Sequence, residues 1–301
     1  MIKKRILFIL PSLKSGGAEK NLSFIANNIN KEYDVKLLVL GYEKDAVFDV
    51  GNTSVIYLNK KRLLYSIFSI FKLLKTEKPD IVFSSISHIN NLMAVFSFYF
   101  KEIKFIAREA SVISTMKLFS GLKSKINYKL ISLLYPKLDM IICQSIDMKN
   151  DFIKNFNIHE NRLKIIHNPI TKHYNEKISK KNNNKIKFLT IGRLSKEKGY
   201  DRLLNILSKI NYKFDYTIIG NGPESSNLKM LTKSLNLGKK VKFINYSSKI
   251  FDKLNKADVY LQGSYVEGFP NALLESCTVG TPVLAFKCPG GTREIIQNGI
   301  N

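Results

Sequence analysis

Strand and helix signals alternate along this chain in two runs, interrupted once, and that alternation leaves few folds open. Ile6–Leu10 is an unbroken apolar run of strand length. A helix is predicted from about Ala18, with Leu22, Ile25 and Ile29 at helical spacing. Val35–Leu40, Ile81–Phe83, Lys104–Ala107 and Met140–Gln144 read as further strands, Leu63–Leu74 as a helix, and Leu163–Ile166 leads on to the end of this run. Regular structure stops at Pro169, in His167-Asn168-Pro169-Ile170. Residues 171–185 are polar and nearly free of apolar side chains, as a linker would be. The alternation then restarts. Strands are predicted at Lys187–Ile191, Asp215–Ile219, Val241–Ile244, Ala257–Leu261 and Val283–Phe286. Helices are predicted at Tyr200–Ile210, Glu224–Leu235, Ile250–Asn255 and Asn271–Thr278. A strand followed by a helix must cross over to a parallel neighbour, so helices cover both faces of the sheet. The expected fold is α/β, with two doubly wound, Rossmann-like domains facing across a cleft. They occupy residues 1–170 and 186–301, and a ligand is expected in the crevice between them.

Composition narrows the function classes. A chain of 301 residues, 45% apolar, can fill two cores. Its longest apolar runs, such as Leu92–Phe100, fall far short of the roughly 20 residues that span a bilayer. The start, M-I-K-K-R-I-L-F-I-L-P, is similar to a signal peptide. Its apolar part stops at Pro11, below the about 7–15 residues a signal needs, so it reads as the first strand. Cys143, Cys277 and Cys288 show no metal-like spacing and fit a reducing cytoplasm. The formal charge of +24 admits nucleic acid, an anionic membrane or a plain composition bias. Residues 60–137 concentrate it, with 14 Lys and Arg against 4 Asp and Glu. No nucleic-acid motif accompanies the charge, so no nucleic-acid partner is expected.

Chemistry is written most densely in E-G-F-P-N-A-L-L-E, from Glu267 to Glu275. A strand precedes it and a helix follows, with Pro270 suited to the helix's first turn. A strand, a glycine-containing loop and a helix start aim backbone N–H groups and a helix dipole at one point, which suits a phosphate. Glu267 is placed at the loop's mouth and Glu275 two turns into the helix. A carboxylate there accepts hydrogen bonds from paired sugar hydroxyls.

The segment E-G-F-P-N-A-L-L-E-S-C-T-V-G-T-P-V resembles the donor-site signature of the retaining glycosyltransferases of family four, which have the GT-B fold. Four further segments match that family in order. They are Gly16-Gly17-Ala18-Glu19, Thr190–Gly199 (T-I-G-R-L-S-K-E-K-G), Ile218–Glu224 (I-I-G-N-G-P-E) and Pro289–Ile296 (P-G-G-T-R-E-I-I). The resemblance is strong from residue 186 and weak through about residues 45–160. It implies transfer of a sugar from a nucleotide sugar, with UDP-sugars first in line. The acceptor would be a lipid-linked or oligosaccharide intermediate of surface-polysaccharide assembly. Relatives continue beyond the position of Asn301 with more helices, so this chain is expected to be truncated.

The resemblance also distributes roles. Arg193 and Lys198 contact the diphosphate, Glu275 the ribose hydroxyls and Glu267 the transferred sugar. Gly268, Phe269, Pro270, Asn271 and Leu274 complete the donor loop, where Pro270 has no N–H to give. Asn245 stands where the base usually packs. Gly16 and Gly17 let a backbone approach phosphate, and an ordinary turn explains them equally well. Arg108-Glu109 stands where many relatives have a histidine. Arg108 would stabilise phosphate and Glu109 accept the acceptor's proton, the rival reading being an exposed surface pair. His88 has no visible partner. The chain has no D-x-D motif, so no metal or other cofactor is expected, and cations with helix N-termini must stabilise the leaving diphosphate. Two other classes stay open: a sugar-nucleotide epimerase of similar fold, and a basic nucleic-acid-binding protein.

Met116–Lys137 contains no acidic residue. Phe119, Leu122, Ile126, Leu130 and Leu133 recur at helical spacing among Lys117, Lys123, Lys125, Lys129 and Lys137. The pattern fits a helix docked on the inner face of an anionic plasma membrane. It fits a helix packed on its own sheet equally well.

Overall fold

The computed structural model describes residues 3–14, 16–119, 121–170, 185–297 and 299. The chain divides into two compact units, Met1–Thr171 and Lys172–Asn301. All of the predicted linker except Lys185 lies outside the described residues.

The first unit carries strands β1 (Arg5–Leu10), β2 (Asp34–Val39), β3 (Ser54–Tyr57), β4 (Ile81–Ser85), β5 (Lys104–Arg108), β6 (Met140–Cys143) and β7 (Leu163–Ile165). They form one parallel sheet in the order β3-β2-β1-β4-β5-β6-β7. Five of the six β1 residues are buried, because a central parallel strand is covered on both faces. The helices are α1 (Gly17–Ile29), α2 (Ile67–Glu77), α3 (Ser87–Phe96), α4 (Ile113–Met116), α5 (Leu122–Leu134) and α6 (Ile146–Phe156). Leu22 and Ala26 of α1 bury with Phe8, Leu10 and Leu37 in one core.

The second unit has β8 (Ile186–Ile191), β9 (Phe214–Ile219), β10 (Val241–Ile244), β11 (Val259–Gln262) and β12 (Val283–Ala285). They are parallel in the order β10-β9-β8-β11-β12. Helices α7 (Tyr200–Leu207), α8 (Ser225–Ser234), α9 (Ile250–Lys256), α10 (Asn271–Thr278) and α11 (Thr292–Ile295) accompany them. Leu203, Leu204 and Leu207 of α7 bury with Phe214, Tyr216 and Leu228.

In both sheets the strand order reverses direction once, between β1 and β4 and between β8 and β11. Ligands of such sheets bind beyond the carboxyl ends of the strands at that point. The loops following β1, β8 and β11 carry the glycine pair, G-R-L-S-K-E-K-G and E-G-F-P. The topology thus selects the same loops as the motifs.

One predicted element differs. Met116–Lys137 is broken into the end of α4, a 3-10 turn at Lys117–Phe119, α5 and a second 3-10 turn at Tyr135–Lys137. Gly121 lies just before α5, and Pro136 sits in the last turn. Ile126, Leu130 and Leu133 face solvent, while the buried contacts come from Ile131 and Tyr135. Among the described residues, no helix is long and apolar enough to cross a membrane.

Candidate active site

In the second unit, sequence-distant residues meet at the switch point. The β8 loop ends in a 3-10 turn, Lys196–Lys198, closed by Gly199 at φ +58°, a conformation that disfavours a side chain. A Cβ on Gly199 would also lie 2.0 Å from the carbonyl oxygen of Gly263. Glycine there lets the loops after β8 and β11 touch. The Tyr265 N–H donates to the Glu197 carbonyl at 2.8 Å and stitches them together. Arg202 of α7 reaches across the seam. Its Nε donates to the Gly263 carbonyl at 2.5 Å and its terminal nitrogen to the Ser264 carbonyl. Its guanidinium carbon lies 4.0 Å from the ring centroid of Tyr265 and 3.8 Å from that of Phe286.

The seam delivers Lys198 to Glu267. Nζ donates to both carboxylate oxygens at 2.8 Å, and Ser264 Oγ donates to Oε1 at 2.5 Å. The Glu267 side chain is 8% exposed and that of Lys198 28%. A nearly buried carboxylate in a strand-end loop needs such partners, because an unpaired buried charge is costly.

The rest of the loop after β11 is clamped by P-G-G-T-R-E. Glu267 N–H donates to the Pro289 carbonyl at 3.0 Å and Gly291 N–H to the Gly268 carbonyl at 2.7 Å. A Cβ on Gly291 would lie 2.2 Å from the Phe269 ring. Pro270 caps α10, and Leu274 N–H donates to its carbonyl at 3.0 Å. Glu275 is the fifth residue of α10, little more than one turn in, which corrects the predicted two turns. Its charge still reaches the strand ends. Burial first, then Glu267 and Glu275, pushes the hydroxyl pKa of Tyr260 up.

Other predicted residues sit further out. Arg193 is exposed on the β8 loop, with no described contact to Lys198 or Glu267. Asn245 is exposed just past β10, at the edge of the sheet, beside exposed Tyr246. Asn271 and Leu274 are half-buried on α10. Among the described residues, no three His, Cys, Asp or Glu side chains cluster as metal ligands.

In the first unit, Gly16 precedes α1, and a Cβ there would meet the Glu19 carboxylate at 2.1 Å. Arg108 ends β5 and Glu109 follows it; both are buried, so neither belongs to an exposed surface pair. Arg108 donates to Asn168 Oδ1 at 2.6 Å. Burial lowers its pKa to about 10 against the opposing pull of Glu109 and Glu19. Asn90 Nδ2, at 2.9 Å, and the Tyr135 hydroxyl donate to Glu109 Oε1. Its Oε2 takes longer bonds, from Ser87 Oγ at 3.2 Å and Ala110 N–H at 3.4 Å. Burial raises the Glu109 pKa, and these bonds only partly oppose the rise. Burial also lowers the pKa of His88, in the first turn of α3.

Glu109 and Ser87 line a pocket of about 190 Å³ with Ile86, Ala110, Ser111, Ile113, Met116, Lys117 and Asn127. Ile86 is held at φ +79° as α3 begins. A β-branched residue there is strained by about 1–3 kcal/mol, a cost that clusters at functional sites. Sequence reasoning missed Arg202, Asn90 and Tyr135, whose contacts are long-range and leave no local pattern, and Ser264, whose bond to Glu267 spans three residues.

Two doubly wound units, each with a built loop cluster at its switch point, place the chain in the GT-B class. Solved structures of that class align along nearly all of it. Anabaena HepE in complex with UDP and glucose matches with a TM-score of 0.78 at 20% identity, over 98% of this chain and 84% of that one. The lipopolysaccharide outer core galactosyltransferase WaaB matches with a TM-score of 0.71 at 19% identity, over 99% and 84%. The chain belongs to glycosyltransferase family 4, whose model matches residues 15–173, while the model for glycosyl transferases group 1 matches residues 172–301. It is therefore a glycosyltransferase. One relative is the N-acetylgalactosamine-N,N'-diacetylbacillosaminyl-diphospho-undecaprenol 4-alpha-N-acetylgalactosaminyltransferase of Campylobacter jejuni. It is 26% identical over 94% of this chain and 81% of its own length. An uncharacterized glycosyltransferase of Haemophilus influenzae is 27% identical over 100% and 85%.

Proposed function

We propose that the protein is a retaining, metal-independent glycosyltransferase that moves a sugar from a UDP-sugar to a lipid-linked saccharide acceptor of surface-polysaccharide assembly. The observation that carries the donor half is the Lys198–Glu267 pair at the switch point of the second sheet, with Glu275 on the helix that follows the same loop. Glu275 takes the ribose hydroxyls and Glu267 those of the transferred sugar. Lys198 has three donors and spends two on Glu267, so it can turn one toward the leaving diphosphate. Arg193 and the start of α10 add positive potential there. Cations in these places support charge stabilisation without a metal.

The acceptor half rests on the pocket in the first unit. An acceptor hydroxyl donates to Glu109 Oε2, the carboxylate oxygen with the longer bonds. The raised pKa brings this group nearer the operating range of a general base. The bond from the anomeric carbon to the diphosphate breaks with its electron pair on the departing oxygen. The acceptor oxygen bonds to that carbon, and its proton passes to Glu109. Arg108, fixed by Asn168, supplies positive charge beside this base. The lipid-linked acceptor is supported by the name of the Campylobacter relative and by the lysines around α5, which suit an anionic membrane on its cytoplasmic face.

The test incubates the protein with single UDP-sugars and lipid-linked saccharides in detergent, with and without EDTA, and reads product anomeric configuration by NMR. Retained configuration and full turnover in EDTA are expected. Inversion or dependence on Mg²⁺ or Mn²⁺ would contradict the reading. Conversion of the UDP-sugar to its epimer without an acceptor would establish the epimerase alternative.

A further inference from the structure

Three side chains with no part in the transfer step converge on Glu109. Ser84 Oγ, on β4, donates to Asn90 Oδ1 at 2.7 Å. Asn90 Nδ2 donates in turn to the Arg108 carbonyl at 3.1 Å and to Glu109 Oε1 at 2.9 Å. The amide has one orientation open to it, because a flip would set Oδ1 against two acceptor oxygens. The Tyr135 hydroxyl, in the 3-10 turn after α5, gives Oε1 its second bond. Ser84, Asn90 and Tyr135 are all 0% exposed, so no solvent competes for these bonds.

The result is an asymmetric carboxylate. Oε1 holds two donors, while Oε2 has only the longer bonds from Ser87 Oγ at 3.2 Å and Ala110 N–H at 3.4 Å. Ser87 lines the pocket together with Glu109. An incoming hydroxyl therefore meets weak competition at Oε2 and strong competition at Oε1. The two helices that build this support also shape the pocket. Asn127 of α5 lines it, and Asn91, next to Asn90 on α3, donates to Asn127 at 2.9 Å. The Tyr135 ring packs on Phe152 with centroids 5.9 Å apart, a contact that phenylalanine would keep.

We propose that Tyr135, Asn90 and Ser84 are positioning residues that occupy Glu109 Oε1 and leave Oε2 to the acceptor hydroxyl. The inference rests on the reading of Glu109 as the acceptor's base and names what holds that base in place. The titratable groups around it are Arg108 on β5, Cys143 on β6, Tyr135 and, lining the same pocket, Lys117. Arg108, lowered to about 10 by burial, stays charged near neutral pH. Cys143, pushed up to about 12 by burial and then by Glu109, stays neutral there, as does Tyr135. Burial also raises the Glu19 carboxyl and lowers His88, two residues before Asn90, so both can titrate over the same range. A Glu109→Gln background separates them from Glu109.

The experiment first needs no substrate. Urea titrations over about pH 4.5–8 compare wild type, Tyr135→Phe and Ser84→Ala, each with and without Glu109→Gln. A hydrogen bond to Oε1 favours the charged carboxylate, so losing one raises the Glu109 pKa further. The stability from its protonation is full below the unfolded value and lost as pH rises through the folded value. In Tyr135→Phe that loss should extend about one pH unit higher than in wild type, as expected for one charge-assisted bond. Ser84→Ala frees the Asn90 amide and should shift the loss the same way by less. It leaves every bond of Glu109 itself in place, so it reads the network should Tyr135→Phe fail to fold. With Glu109→Gln present, both shifts should vanish. The acid limb of kcat/KM, measured with the UDP-sugar and lipid-linked saccharide that give product, should move up in step. A purely structural role would lower stability alike at every pH and move neither profile. Profiles that stay put, or that move equally with Glu109→Gln in place, would overturn the inference. Shifts as expected in a protein whose Glu109→Gln variant transfers sugar like wild type would keep the network and sink the reading of Glu109 as the base.

Discussion

Replacing Lys198 by methionine tests the pair at the centre of the proposed donor site. Methionine keeps most of the volume of the lysine stem and removes both 2.8 Å bonds to Glu267. Charge-assisted hydrogen bonds contribute about 1.5–3 kcal/mol, and breaking a buried ion pair costs about 3–5 kcal/mol. Lys198 is 28% exposed and Ser264 still donates to the carboxylate, so the loss should lie near the lower end, about 2 kcal/mol. For a unit of this size that lowers Tm by roughly 8 °C. Lys198→Met/Glu267→Gln removes the stranded charge and should regain most of that stability. It should not regain function. Differential scanning fluorimetry reads the stability, and calorimetry with UDP and a UDP-sugar reads the donor site. UDP-sugar affinity should fall roughly tenfold or more in both variants. A double variant as unstable as the single one would show that the pair is not the source of the loss. Wild-type UDP-sugar affinity in Lys198→Met would remove Lys198 from the site.

The other predictions concern residues with different duties. The Glu109 pKa is raised in the folded protein, so the native state binds more protons than the unfolded chain above pH 4.5. Stability should therefore fall as pH rises from about 4.5 through the raised folded value. Glu109→Gln should flatten that slope in urea titrations, and an unchanged slope would refute the assignment. Gly291→Ala drives a methyl into the Phe269 ring and should cost about 1–3 kcal/mol by denaturant melt, with a higher donor KM. A silent substitution would mean that the clamp yields freely. Arg202→Met should raise donor KM and leave UDP binding nearly unchanged, because Arg202 braces the β11 loop rather than α10. Equal losses for UDP and UDP-sugar would reduce Arg202 to a fold-stabilising role.

Much of the fold was legible because buried parallel strands appear as apolar runs. Val241–Ile244 and Asn271–Thr278 match their predicted bounds, and most others shift by a residue or two. Helix α3 was passed over because its buried face carries Asn90 and Asn91, which break the apolar period. Those asparagines are buried because they serve polar partners, Glu109 and Asn127 among them. Helix α6 hides similarly behind Asp147, Lys149 and Asp151, and β3 is a short edge strand with no fully buried residue. In the proposed donor site, motif order named Lys198 and Glu267, yet only folding shows that residues 69 positions apart form one ion pair. The surface was least legible. A helical apolar stripe reads the same whether it faces a sheet or water, and the exposure of Ile126, Leu130 and Leu133 decides which.

The central claim is that the second unit binds the nucleotide of a sugar donor with Glu275 on the ribose. Isothermal titration of UDP into the wild type and into Glu275→Ala tests it most directly. The account predicts measurable one-site binding to the wild type and at least about tenfold weaker binding to the variant, the loss expected for a charged hydrogen bond. Identical affinity in the two proteins, or no binding of UDP by the wild type, would contradict it.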